Sequence, residues 1–293
     1  METDRSPFQI PGHKGRTDLT GAIVDGDIPV LPGNHPHRIS PSLILEAEAL
    51  AADLWGADLC RFGVNGSSGS NHAAVMAVAG PGDKVIVSRT LHKSVLVGLV
   101  YAGVVPIWVR PEINPETGLP EYLPSSRLAE TLAQHPDAKA VFIGEPSYVG
   151  TMSNIPRLAE VAHSHGIPLV VDNCFATPYL QRPLALGANV VTHSATKYID
   201  GQGRALGGAI IGDASYIADC RFFARHTGPA MSAFNAWLLS KSLETLAVRM
   251  DRHCSNALAL AQHFEQHPAL TAVRYPFLPS HPQHELARAQ MSQ

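Results

Sequence analysis

LVVDNCFATPYLQRPLALGANVVTHSATK, residues 169–197, is the stretch from which the fold can be read. It contains two short apolar runs, LVVD (169–172) and ANVVTH (188–193), joined by a polar, proline-containing connector. Runs of this length and composition predict strands buried on both faces, as in a parallel sheet. The first ends in Asp172. The second leads into Ser194, Ala195, Thr196 and Lys197. In open α/β sheets, ligands sit beyond the carboxyl ends of parallel strands. An acid and a lysine on neighbouring strand ends can therefore face one pocket.

That pair suits a particular chemistry. A carboxylate can hold the protonated ring nitrogen of a pyridine cofactor, and a lysine amine can form a Schiff base with its aldehyde. Pyridoxal 5'-phosphate needs both. Taken singly the signals are weak: acids end many strands, and Ser-x-x-Lys also serves penicillin-type acyl enzymes.

Upstream, a strand over Cys60–Val64 runs into Asn65-Gly66-Ser67-Ser68-Gly69 and then an alanine-rich helix. Free amides at a helix start attract a phosphate, and the serines add hydroxyl donors. A glycine-rich turn is also a common packing device. This one is neither GxGxxG nor GxxxxGK[ST], which disfavours a Rossmann dinucleotide site or a P-loop. The strand KVIVS (84–88) ends near Leu91-His92-Lys93-Ser94, so His92 falls at another strand mouth, where an imidazole could stack on a flat ring or simply cap a helix. Further strands are expected at 104–109 and 140–144, and helices at 42–55, 127–134 and 155–165, the last closed by Gly166. A long helical region is expected from Phe234 to His267, then one short strand, a proline-rich turn and a helix start. Arg204 could be an anion contact or a structural cation.

Composition sets outer bounds. The chain has 293 residues, 45% of them hydrophobic, and a net charge of −3. It is long enough for a large core plus a smaller domain. The balance of charge gives no reason to expect nucleic acid or an acidic membrane as partner. Cys60, Cys174, Cys220 and Cys254 show no CxxC spacing, so neither a disulfide framework nor a zinc site is indicated. His35 and His37 lack a third ligand, and His13, Lys14 and Arg16 read as a solvated face, with an anion contact as the alternative. With no apolar signal core at the N-terminus and no run approaching 18 apolar residues, a cytoplasmic location is expected.

Phosphate cup, ring-stacking histidine, ring-nitrogen acid and Schiff-base lysine occur in that order. With them, the chain resembles the fold-type I pyridoxal-phosphate enzymes of the aspartate aminotransferase superfamily. Residues 8–165 resemble the Orn/Lys/Arg decarboxylases through PGHKGR (11–16), FGVNGSSGSN (62–71), GPGDKVIVSRTLHKSVLVGL (80–99) and PSYVGTMSNI (146–155). Residues from about 166 onward resemble the Cys/Met-metabolism, or trans-sulfuration, family. The motifs are VVDNCFATPYLQRPLALGANVVTHSATKYIDGQGRALGGAIIG (170–212), TGPAMSAFNAWLLSKSLETL (227–246) and LPSHPQHELAR (278–288).

The resemblance implies an α/β fold, a three-layer αβα sandwich with a mostly parallel sheet, bound to pyridoxal 5'-phosphate. It implies an arm at 1–40, a large cofactor-binding domain at 41–232, and at 233–293 a long helix with an incomplete small domain. Lys197 takes the Schiff-base role and Asp172 the ring nitrogen. Ser194, Thr196, Gly66, Ser67, Ser68 and Gly69 take the phosphate, and His92 stacks on the ring. No metal is implied. No residue matches the arginine that clamps the substrate carboxylate, and Pro146-Ser147-Tyr148-Val149 stands where trans-sulfuration enzymes carry Ser-Asn-Pro-Thr. The expected activity is γ-replacement on an activated homoserine by a sulfur nucleophile, in a homodimer or homotetramer. Decarboxylation of a basic amino acid is the runner-up, and a cofactor-binding remnant or chimera without turnover is the third reading.

Overall fold

A computed structural model describes residues 41–292 together with Asp18. The expected arm and its histidines and cations lie outside the described residues. In chain order the elements are α1 (Pro41–Trp55), β1 (Leu59–Gly63), α2 (Gly66–Val78), β2 (Lys84–Ser88), α3 (Lys93–Ala102) and β3 (Val105–Val109). There follow α4 (Ser125–Gln134), β4 (Ala138–Gly144), α5 (Ile155–Ser164), β5 (Leu169–Asp172), α6 (Thr177–Leu180) and β6 (Val190–Ser194). A π-helical turn (Ala195–Ile199) leads to β7 (Gly208–Gly212), α7 (Ala214–His226), α8 (Ala233–Leu243), α9 (Leu246–Glu265) and α10 (His284–Gln290).

The seven strands form one sheet in the order β1-β7-β6-β5-β4-β2-β3. Neighbours from β6 to β3 run parallel, and β7 is antiparallel to both β6 and β1. Successive residues of a strand point to opposite faces, and here both faces are covered. Val141 and Ile143 of β4 and Val171 of β5 pack with Leu128, Leu132, Ile155 and Leu158 of α4 and α5. Ala140 and Phe142 of β4 and Val170 of β5 pack with Ala73, Val75, Val95, Leu99 and Ile217 of α2, α3 and α7. This double burial is why KVIVS and LVVD read as continuous apolar runs. The result is a three-layer α/β sandwich. Among the described residues, no helix is long and apolar enough to cross a membrane.

The structure corrects several boundaries. The expected 234–267 helix is two helices, α8 and α9, broken at Glu244-Thr245. No strand forms at 269–275, where the chain runs as turns and irregular backbone. The glycine-rich turn is shorter than expected: Ser67, Ser68 and Gly69 already belong to α2. Below the sheet's carboxyl ends, Leu239, Leu246 and Met250 of α8 and α9 pack on Ala195 and Ile199, so the π-helical turn sits on a small apolar core of its own.

Candidate active site

Asp172 closes β5 and is 5% exposed. Asn71 Nδ2 donates to its Oδ2 at 2.9 Å, and the Thr192 hydroxyl lies 3.3 Å from its Oδ1. Burial pushes this carboxyl above its ordinary range; bonds from Asn71 and Thr192 and the charges of His92 and Lys197 pull the other way. Among the described residues no cation lies within ion-pairing distance of it. A buried carboxylate without a counter-charge is costly. A cationic N–H from a ligand fits that site.

His92 caps α3: its Nδ1 accepts the Ser94 amide at 3.2 Å and lies 2.8 Å from Ser94 Oγ. An Nδ1 that accepts an amide proton assigns the ring's own proton to Nε2. Capping and a site role are thus compatible, because the capped imidazole is half-buried at the strand mouth.

At the start of α2, Asn65 makes no side-chain cap bond. Among the described residues no such cap occupies the first helical amides, the groups that favour an anion at a helix start. Gly66 has φ +76°, and a Cβ there would lie 3.4 Å from Thr196 Oγ1. Gly208 is needed for a different reason: a Cβ would lie 2.9 Å from Gly66 C and Ser67 N, so its absence lets α2 begin against β7. Ser194, buried at the end of β6, pairs with Gly208 across that same join. The structure thus brings Gly66, Ser67, Ser194 and Thr196 together, with Ser68 and Gly69 in the first turn behind them.

Lys197 lies in the turn after β6 and is exposed, with φ −86° and ψ −124° interrupting the helical geometry. The turn is tied at both ends. Ala195 N and Thr196 N donate to Gly207 O at 2.8 and 3.2 Å. Arg249 of α9 donates to Tyr198 O at 2.6 Å, Ile199 O at 2.8 Å and Ser242 O at 2.9 Å. Arg204 pairs with buried Asp200 at 3.1 Å, which makes it a structural cation here. Lys197's charge reaches both Asp172 and Cys174. The Cys174 thiol is pushed up to about 12 by burial and by the Asp172 charge, so it is no nucleophile at neutral pH.

Sequence reading did not single out Asn71, Thr192 or Ser94 for this site, nor a buried polar cluster beside it. Asn173 Nδ2 donates to Glu145 O at 2.8 Å and to Gln181 Oε1 at 2.6 Å. Glu145 is 1% exposed; its Oε2 accepts the Ser153 amide, while Oε1 has no partner among the described residues. Burial raises Glu145 to about 8. A carboxyl raised on folding binds its proton more tightly in the native state, so its contribution is lost as pH rises from its unfolded pKa through about 8. Buried His193, lowered to about 4, acts with the opposite sign but only below its unfolded pKa near 6.5. Between pH 7 and 8.5 the melting temperature is expected to fall, and Glu145→Gln to flatten that slope. An unchanged slope in the variant would contradict the assignment.

The family model for the Cys/Met metabolism PLP-dependent enzymes matches residues 44–293. The chain belongs to that family. Its members' cofactor, pyridoxal phosphate, is the group the site fits. The chain is 43% identical over 265 residues to an O-succinylhomoserine sulfhydrylase of Pseudomonas aeruginosa, an alignment covering 89% of this chain and 63% of the relative. It is 44% identical to the enzyme of the same name from Mycobacterium tuberculosis, over 74% of this chain and 52% of the relative. Among solved structures, metB from Corynebacterium glutamicum superposes with a TM-score of 0.74 at 28% identity, over 90% of this chain and 69% of that one. The chain therefore spans between about half and two thirds of the curated relatives' length. The family match begins at residue 44, so residues 44–165 belong with the same Cys/Met-metabolism enzymes as the remainder. The match supports neither the division into a decarboxylase-like and a trans-sulfuration-like part nor the decarboxylase reading.

Proposed function

We propose that this chain carries the cofactor site of a trans-sulfuration enzyme, replacing the γ-substituent of an activated homoserine with a sulfur nucleophile. The carrying observation is the buried Asp172 carboxylate, held by Asn71 and without an ion-pairing cation among the described residues, in the field of the exposed Lys197. When bound, pyridoxal phosphate supplies an aldehyde for amines and a pyridinium ring that accepts an electron pair. The chain's residues do the rest. Asp172 keeps the ring-nitrogen proton in place. The Gly66–Gly69 amides and the hydroxyls of Ser67, Ser68, Ser194 and Thr196 hold the phosphate, and His92 covers the ring.

Lys197 Nζ is the covalent anchor. With the cofactor bound, its amine would also be the group placed to take the Cα proton of the substrate and to return one. For an O-succinyl ester the balance is simple: the Cγ–O bond breaks, succinate leaves, and the Cγ–S bond to hydrosulfide gives homocysteine. The decisive assay is homocysteine formation from O-succinylhomoserine and sulfide, with pyridoxal phosphate present. A chain that retains the cofactor covalently but yields neither homocysteine nor an elimination product would overturn the activity while leaving the cofactor site intact.

The cup carries its own prediction. Thr196→Ala removes a hydroxyl beside Gly66 and is expected to weaken cofactor binding about tenfold, as the loss of one hydrogen bond to a charged group (about 1.5 kcal/mol) implies. A fluorescence titration with pyridoxal phosphate measures it, and an unchanged affinity would remove Thr196 from the phosphate site.

In this reading residues 41–232 form the cofactor-binding unit and 233–293 belong to a smaller one. An amino-acid substrate and a homodimer or homotetramer accompany it. Val100 and Tyr101, exposed on α3, support assembly. A cytoplasmic setting, where thiols stay reduced, accompanies this reading, with Cys60 and Cys220 buried as thiols.

A further inference from the structure

The geometry points to Asn71 as the positioning residue of this site, one amide hydrogen keeping Asp172 ionised and the other tying it to the His92 imidazole. The inference rests on the reading of Asp172 and Lys197 given above.

Asn71 is 1% exposed on α2, a turn and a half beyond the phosphate-binding start of the same helix. Its amide is fully committed. Nδ2 donates to Asp172 Oδ2 at 2.9 Å and to Ser94 Oγ at 3.0 Å, while Oδ1 accepts the Thr192 hydroxyl at 2.8 Å. With Nδ2 toward the acid and Oδ1 toward the hydroxyl, the single Thr192 proton goes to Asn71 at 2.8 Å, in preference to the Asp172 Oδ1 at 3.3 Å. Ser94 Oγ, accepting from Asn71, has one proton of its own, and His92 Nδ1 lies 2.8 Å away to take it. Nδ1 already accepts the Ser94 amide. From Asn71 outward the donors run Asn71 to Ser94 and Ser94 to His92, with the Ser94 amide and hydroxyl sharing the one Nδ1 lone pair.

The consequence concerns protonation. A proton on Asp172 Oδ2 would confront the Asn71 N–H, and a proton on His92 Nδ1 would confront the Ser94 amide N–H. Donor facing donor in a buried site leaves groups unsatisfied and costs stability. The relay therefore opposes the neutral acid that burial favours, and it holds His92 with its proton on Nε2. The other titratable groups whose charges act in this region are His92 before α3, Lys197 after β6, and Cys174 and Tyr148 in the loops after β5 and β4. None of these four hydrogen-bonds the carboxylate among the described residues, so Asn71 is its direct donor, with the Thr192 hydroxyl beside it at 3.3 Å.

The test is the ring-nitrogen signal of 15N-labelled pyridoxal phosphate in the loaded protein, compared between the parent and Asn71→Leu, a change of similar volume. The parent is expected to show a protonated ring nitrogen. In Asn71→Leu the signal is expected to move at least a third of the way to the neutral-pyridine position, with cofactor affinity reduced about tenfold. A protonated signal of unchanged position in the variant overturns the inference. Should Asn71→Leu fail to fold, Ser94→Ala serves: in cofactor-free protein labelled with 15N-histidine, His92 is expected as the Nε2–H tautomer in the parent and to gain Nδ1–H in the variant. An identical tautomer ratio overturns the relay. If the parent shows no covalent cofactor, it is the reading of Lys197 that fails, and the histidine measurement still decides the relay.

Discussion

Lys197→Ala is expected to abolish turnover, by at least a thousandfold, while leaving the fold intact. The magnitude follows from two lost roles, the covalent anchor and the proton carrier at Cα, the second alone worth typically about 10²–10⁴. The intact fold follows from the structure. Lys197 is exposed, and its turn is held by other groups: the Gly207 carbonyl on one side and the Arg249 guanidinium on the other. The melting temperature of the cofactor-free variant should therefore match the parent's to within a degree or two. A variant that keeps a tenth or more of parental turnover would remove Lys197 from the chemistry.

Asp172→Asn separates function from stability in the opposite sense. Without the carboxylate the ring nitrogen is no longer held protonated, and turnover is expected to fall by a hundredfold or more, the scale of removing one preorganised charge-stabilising group. The cofactor-free protein, by contrast, should be at least as stable as the parent at pH 8. Burial raises the Asp172 pKa, so the native state loses stability as pH climbs from the unfolded carboxyl range through that raised value. An amide escapes this, and its oxygen still accepts from Asn71. Thermal unfolding at pH 8, beside turnover, measures both halves. A variant that is both active and less stable than the parent would show Asp172 to be a structural acid.

Some of this was legible in the chain and some was not, for physical reasons. LVVD and KVIVS announce themselves because strands buried on both faces need uninterrupted apolar runs. The α5 helix is marked at both ends, by the Asn154 side chain accepting the Arg157 amide and by Gly166 at φ +70°. Asp172 and Lys197 could be found because they stand where such strands stop. Asn71 and Thr192 could not, since a neutral amide and a hydroxyl carry no chemical signature until α2 crosses β5 and β6. The break between α8 and α9 has no proline or glycine to betray it. It coincides with the place where Ser242 O accepts both the Thr245 amide and the Arg249 guanidinium, contacts that only the folded chain brings together. Arg204 was ambiguous for the same reason, its partner Asp200 being buried by the fold.

The central claim is that Lys197 is the covalent anchor for pyridoxal phosphate in a site built from the ends of β5 and β6 and the start of α2. Its most direct test is to add pyridoxal phosphate to the purified protein, reduce with borohydride, digest, and locate the modified lysine by mass. The account predicts a visible absorbance band that borohydride bleaches, with the adduct on the peptide containing Lys197 and none on that site in Lys197→Ala. A folded parent that gains no band, or whose adduct sits on other lysines, would contradict it.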